Sequence, residues 1–289
     1  MPTYALALVL VAALAHAAWN VLAKTATGGA AFVWLFSALS AVLWAPVAGV
    51  ALVVAPGSFG LEGLGFVIGS GALHALYFLL LQRGYREGDL SLVYPLARGT
   101  GPLLSTLAAI VLFSERPSLL ALAGGAIIVG AVLSLAGVGG RVGREGAGER
   151  GRAIAFALAT GVAIAAYTLW DKHAVGPLGL SPVVYYWGTN LAETALLSGL
   201  VAHRRAEIAR TWRAHRGQAL GVAVLSPLAY ILVLFALAHA PVSYVAPARE
   251  LSILVGAVAG TTVLAEGHRR RRLLAAGAIF AGIVALAVG

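Results

Sequence analysis

Two arginines, Arg98 and Arg249, stand inside long apolar stretches, where an arginine costs roughly 2.5–3.5 kcal/mol to insert and so needs an offset. Glu250 follows Arg249 directly and Glu193 interrupts another apolar stretch, which makes two carboxylates available for two guanidiniums. Either these four charges pair across a helix bundle, or at least one guanidinium faces a cavity and grips a carboxylate or phosphate in a bidentate fork, a glutamate taking an ammonium or a proton. Tyr94 and Arg98 are spaced i, i+4, so a hydroxyl and a cation share one helix face. His16 and His74 are further titratable groups in apolar runs. An imidazole there either exchanges protons near neutral pH or serves as a satisfied hydrogen-bonding group. Glu250, Glu193, His16 and His74 are accordingly the candidates for proton coupling. Tyr186, Asn190 and Glu193 form a polar stripe at i, i+4 and i+7, read first as glue between helices.

Few of these residues suit an enzyme. The chain has no Cys, which removes thiolate chemistry and disulfides. Its two aspartates, Asp89 and Asp171, are read at helix ends, far apart in sequence, so no carboxylate cluster offers itself to Mg2+. HExxH, GxSxG and P-loop spacings are absent. No catalytic residue, metal or cofactor is expected. A channel would need repeated polar rings around a symmetric pore, and the mixed Arg/Glu content suits a closed, two-faced site better.

The elements that must position these side chains follow from the hydropathy. Of 289 residues 60% are hydrophobic and 11% charged, too few charges to solvate a surface of that length, so the chain is read as an all-α polytopic membrane protein. Apolar segments long enough to span lie at about 3–23, 30–54, 61–81, 90–112, 117–137, 153–172, 182–202, 217–238, 242–264 and 272–288. The first lacks a basic leader and carries His16, Trp19 and Asn20, so it reads as a span and not as a cleavable signal. Gly65-x3-Gly69, Gly217-x3-Gly221 and Gly256-x3-Gly260 have the spacing that lets helices approach closely.

The formal charge of +9 belongs to membrane flanks, not to nucleic-acid binding, because the basic clusters fill short gaps between spans without a stacking aromatic series. Sixteen of the 20 Lys and Arg follow odd-numbered spans, against Arg116 and Lys172 after even-numbered ones. The positive-inside rule then puts both termini outside.

The chain also repeats itself. Gly125-x4-Gly130 lies over Gly277-x4-Gly282 at an offset of 152, Ser91 to Pro95 lies over Ser243 to Pro247, and with one gap Arg98 falls on Arg249 and Glu115 on Glu266. Ala17 to Lys24 lies over Ala165 to Lys172. Two five-helix halves follow, residues 1–137 and 153–289, joined by a basic linker at 138–152. An odd number of spans per half inverts the second copy, which in transporters puts the substrate site near the midplane between the halves. Pro95 and Pro247 then interrupt corresponding helices; each removes a backbone donor, which marks a binding site or a packing kink. Repeat-related aromatics, Trp19 with Tyr167 and Tyr77 with Tyr230, together with Asn20, Trp170 and His74, are candidates to line the cavity. They can cover a cation or a hydrophobic substrate, or fill the core.

The duplicated Tyr94-Pro95-Leu96-Ala97-Arg98, Ser114-Glu115-Arg116 with Ala265-Glu266, and the paired Gly-x4-Gly segments resemble the EamA branch of the drug/metabolite transporter superfamily over nearly the whole chain. That resemblance implies ten helices in two inverted repeats, a cavity lined mainly by helices 1, 3, 4, 6, 8 and 9, and a bacterial inner-membrane exporter of amino acids or other small metabolites. Many such carriers keep both termini in the cytoplasm, opposite to the charge count here. The expected protein is a secondary active or facilitative transporter that exports a small zwitterionic or anionic metabolite by alternating access. Arg98 and Arg249 are its anchors, and the substrate-binding candidates also include Tyr94, Trp19, Asn20, His74, Tyr77, Tyr167, Trp170, Tyr230 and Glu250. The rival readings are an exporter of lipophilic or cationic compounds, a channel and a membrane enzyme. The expected partners are the substrate, the lipid bilayer and a proton as candidate coupling ion, in a monomer or homodimer, with no nucleic acid.

Overall fold

The computed structural model describes residues 1–26, 29–54, 60–88, 90–135, 147–252 and 269–289, which form helices and turns with no strand. In chain order the helices are α1 (Thr3–Lys24), α2 (Gly29–Val54), α3 (Leu61–Glu87), α4 (Leu90–Leu112), α5 (Leu119–Leu135), α6 (Ala147–Val175), α7 (Pro182–Val201), α8 (Arg205–His239), α9 (Val242–Ala248) and α10 (Arg269–Val288). Helices satisfy their backbone groups internally, the condition for crossing hydrocarbon. Six of them, α1, α2, α3, α4, α6 and α8, contain stretches long and apolar enough to cross a membrane, and α5 and α10 carry shorter apolar stretches. Large apolar side chains point outward: Val53 is 79% exposed, Val111 76%, Leu119 86% and Phe280 64%. Such a surface belongs in lipid, where facing apolar groups outward has no cost, and the chain is a multi-pass membrane protein.

The helices follow the expected spans closely at most ends, except that α3 runs past the expected 61–81 to Glu87, taking in Arg83 and Arg86, expected in a loop, and two further departures are instructive. The span expected at 217–238 is the second part of α8, and the preceding basic stretch, expected as a loop, is helical up to a kink at His215 (φ −132°, ψ 25°). Its Arg, Ala and Glu content favours helix, and Thr211 turns inward and is buried. Helix α6 runs past the expected 153–172 at both ends. This places Asp171 four residues inside the helix terminus, fully buried, and corrects its reading as a helix-end residue. The second part of the span expected at 242–264, together with Asp89, Gly256, Gly260, Ala265, Glu266 and the 137/138 boundary, lies outside the described residues.

Helix α1 packs on α8, α2 on α7 and α8, α3 on α6 and α7, α4 on α5 and α6, and α5 on α10. Small residues allow the closest approaches: a methyl group on Gly71 would lie 2.7 Å from the Ala192 Cβ, and one on Gly124 2.6 Å from the Gly282 carbonyl oxygen. Gly69 and Gly221 are likewise contact points, against Trp170 and Leu22, whereas a methyl group on Gly65 or Gly217 would meet nothing within 4 Å among the described residues. Tyr4 touches the His239 ring (5.7 Å between centroids), while the Tyr244 hydroxyl donates to the Gly289 carbonyl and accepts from the Ser118 N–H. Both chain ends therefore lie at one end of the bundle. The Arg152–Glu87 ion pair (2.7 Å) marks the opposite end.

Candidate functional site

Helix α4 continues without a break through Pro95 and Pro102. Helix α9 instead ends at Ala248, one residue beyond Pro247, and Arg249 and Glu250 form a turn before helical backbone resumes at Leu251. The matched interruption expected at Pro95 and Pro247 is thus one-sided. Pro95 is the sixth residue of α4, and the helix is held by close packing further on: side chains of Leu133 and Ile164 crowd Gly99 and Gly101. The α9 turn is closed by i→i+3 geometry, the Glu250 N–H donating to the Pro247 carbonyl at 3.0 Å.

The two arginines end in different company. Arg98 donates through Nη2 to Glu250 Oε1 at 2.9 Å and through Nε to Oε2 at 3.1 Å, a bidentate pair with both side chains almost fully buried. No carboxylate among the described residues pairs with Arg249, whose guanidinium carbon sits 5.3 Å from the centroid of the Tyr230 ring, a cation–π arrangement. Glu193, expected as a counter-charge for one arginine, pairs with neither. It is buried on α7, which packs on α2, α3 and α8, and its Oε1 accepts no hydrogen bond among the described residues.

Arg98, Arg249, His16 and Tyr230 line one cavity, with Ala12, Ala13, Ala229 and Val233 supplying small walls from α1 and α8. Counting the open space at its mouth, the cavity encloses about 260 Å³.

The other expected site residues sort by distance from this cavity. His74 stacks on Tyr167 (4.3 Å between centroids) and meets Tyr230 edge-on (5.3 Å). Tyr77 contacts Tyr167 at 5.8 Å, and Tyr167 contacts Tyr230 at 6.0 Å, so Tyr167 stands between the two tyrosines expected to face each other. Trp19 packs edge-on against His16 (4.8 Å) and joins the apolar cluster of Phe32 and Phe36; Tyr167 belongs to the larger core, so that repeat-related pair is not brought together. Asn20 donates locally to the His16 carbonyl at 2.7 Å. Trp170 lies at the periphery, 37% exposed, its indole N–H donating to the Phe66 carbonyl. Tyr94 is half-buried one turn before Arg98.

Behind Tyr230 lies a residue that spacing alone did not single out. Asp171 Oδ1 accepts from Ser70 Oγ (2.7 Å) and from the Tyr185 hydroxyl (2.6 Å), and Oδ2 accepts from the Tyr230 hydroxyl. The only hint in the sequence is that Asp171 lies over apolar Ala23 in the repeat. Two further charges fix the corner between α8 and α9, at the start of the helix that leads to Arg249. Glu115 accepts the Val242 and Ser243 N–H groups at 2.7 and 2.9 Å, placing a negative charge at the start of α9. Lys172 Nζ donates to the Leu237 and Ala240 carbonyls at 2.6 and 3.1 Å, placing a positive charge at the end of α8. Both complement the helix dipoles.

A helical membrane protein with a charged cavity in its apolar interior is the class these features define. Residues 151–288, the second half of the chain, match the model of the EamA-like transporter family, which makes this an EamA-like protein of the drug/metabolite transporter type. A crystal structure described simply as that of a protein superposes with a TM-score of 0.75 at 16% identity, covering 98% of each chain, a likeness of fold. No curated protein matches the sequence.

Proposed function

We propose that this EamA-like protein is an alternating-access carrier that exports a small zwitterionic or anionic metabolite, such as an amino acid, across the bacterial cytoplasmic (inner) membrane. The observation that carries the reading is Arg249. Its charge is held at the wall of a cavity with no carboxylate pairing it among the described residues, while Arg98 is neutralised by Glu250. A desolvated guanidinium without a counter-ion favours a ligand that brings a carboxylate.

The duplicated architecture, residues 1–137 and 153–289 about the 138–152 linker, is part of this reading. In its support, Arg98 of the first half pairs with Glu250 of the second, the residue next to Arg249, on which Arg98 falls in the repeat. The termini lie outside, since Arg83, Arg86, Arg150, Arg152 and the Arg204 to Arg216 cluster follow the ends of α3, α7 and the start of α6, opposite to the chain ends.

The test is counterflow in proteoliposomes with labelled amino acids and phosphorylated metabolites, with and without an imposed pH gradient. Saturable counterflow that Arg249→Ala lowers by about 100-fold is the expected result, and its dependence on the gradient decides between proton coupling through Glu250, Glu193, His16 or His74 and plain exchange. Counterflow indifferent to Arg249→Ala removes the anchor, and unsaturable conductance removes the carrier. The aromatic wall of His74, Tyr167 and Tyr230 favours a second reading, export of lipophilic or cationic compounds, which predicts cation flux that Arg249→Ala increases.

A further inference from the structure

The buried charges around the cavity form two separate balances. Arg98 and Glu250 cancel by direct contact. Arg249 faces Asp171 across a single side chain: the Tyr230 ring lies under the guanidinium, and the hydroxyl of the same ring donates to Asp171 Oδ2. Three hydroxyl donors around one carboxyl are the environment of an ionised, acceptor-only group. No cation pairs with Asp171 among the described residues, although it is fully buried. An intramembrane carboxylate held this way, with its nearest guanidinium on the far side of a tyrosine ring, calls for a function.

We propose that Asp171, acting through Tyr230, is the specificity-determining residue that makes the cavity prefer a zwitterion to a simple anion. This rests on the reading of Arg249 as the carboxylate anchor. A phenol that donates to a carboxylate becomes a stronger acceptor at its own oxygen. Tyr230, in the cavity wall, therefore offers a substrate ammonium an electron-rich oxygen and ring beside the guanidinium that takes the carboxylate. The Asp171 charge also offsets Arg249, so a substrate that adds a net negative charge meets a penalty that a zwitterion does not. Ser70 and Tyr185 hold the carboxylate from α3 and α7, so it stays behind Tyr230 and does not swing into the cavity to occupy Arg249 itself. Asp171 is thus a positioning residue, and Tyr230 is the group that touches substrate.

The experiment is competition binding in nanodiscs with the full chain, using a panel of α-amino acids and, for each, the carboxylic acid lacking only the amino group. In the unaltered protein the amino acid binds tighter than its des-amino partner by about tenfold or more, the scale of a lost charge-assisted hydrogen bond. Asp171→Asn, which keeps shape and removes charge, brings the two within about threefold, chiefly by tightening the des-amino acid. Tyr230→Phe narrows the gap by weakening the amino acid, and Asp171→Glu restores part of it. A gap that survives both Asp171→Asn and Tyr230→Phe overturns the proposal, as does an equal loss of both ligands in Asp171→Asn, which is what a purely structural role would give. Des-amino acids binding alone in the unaltered protein also overturns it while leaving the anchor standing. Binding that persists in Arg249→Ala overturns the anchor reading itself.

Discussion

Arg98 and Arg249 are the same residue type on helices that the repeat aligns, yet their surroundings assign them different work. Arg98 sits on an unbroken helix and is closed off by a bidentate carboxylate. Arg249 sits where α9 breaks, at the cavity wall, with an aromatic ring as its nearest support. The difference teaches that a buried arginine in a membrane protein is not a site by virtue of its cost. What decides is whether the charge has been used up by a fixed partner, and here Glu250 is the fixed partner of Arg98 alone.

The comparison is broken most severely by Arg98→Ala, which leaves Glu250 buried without its cation. A loss of about 3–5 kcal/mol is expected, read as a large fall in the unfolding midpoint in detergent. Replacing both partners, Arg98→Leu with Glu250→Leu, is expected to cost less than either single change, because no lone charge remains; a strictly additive cycle would mean that the pair is not coupled. Arg249→Ala is expected to move stability within about 1 kcal/mol while removing carboxylate binding, the mirror image of Arg98. Arg249→Lys sharpens the contrast by keeping the charge and removing the fork, with carboxylate affinity down about tenfold and an unchanged unfolding midpoint. The smallest effect is expected at the α8–α9 corner. Glu115→Gln weakens the cap on the α9 N–H groups by about 1 kcal/mol, seen as a lower midpoint in thermal unfolding with carboxylate affinity retained.

Much of the scaffold was legible from hydropathy, because lipid imposes a length on each apolar run and punishes charge inside it. The Arg98 neighbourhood was legible for the same reason: only a few carboxylates were available inside spans. Legibility failed where rotation of a helix about its own axis mattered. The stripe Tyr186, Asn190 and Glu193 showed that α7 has a polar face but not which neighbour receives it, so Glu193 was matched with an arginine that packing keeps away. Asp171 was hidden because the apolar window closes at residue 172 while the helix continues to Val175, and because its donors Ser70 and Tyr230 are 101 and 59 residues distant. Trp170, by contrast, had the right residue type three positions from Tyr167, but its helix turns it to the periphery, 37% exposed.

The Arg98–Glu250 pair has a last consequence for the proposed duplication. A chamber between two equivalent halves would present two equal handles, and a ligand could enter head-first or tail-first with the same affinity. In the gapped alignment Glu250 has Gly99, with no side chain, near its counterpart position. One acidic residue added to one copy therefore silences one handle and removes the degeneracy, giving a nearly symmetric vessel a single polarity for its cargo.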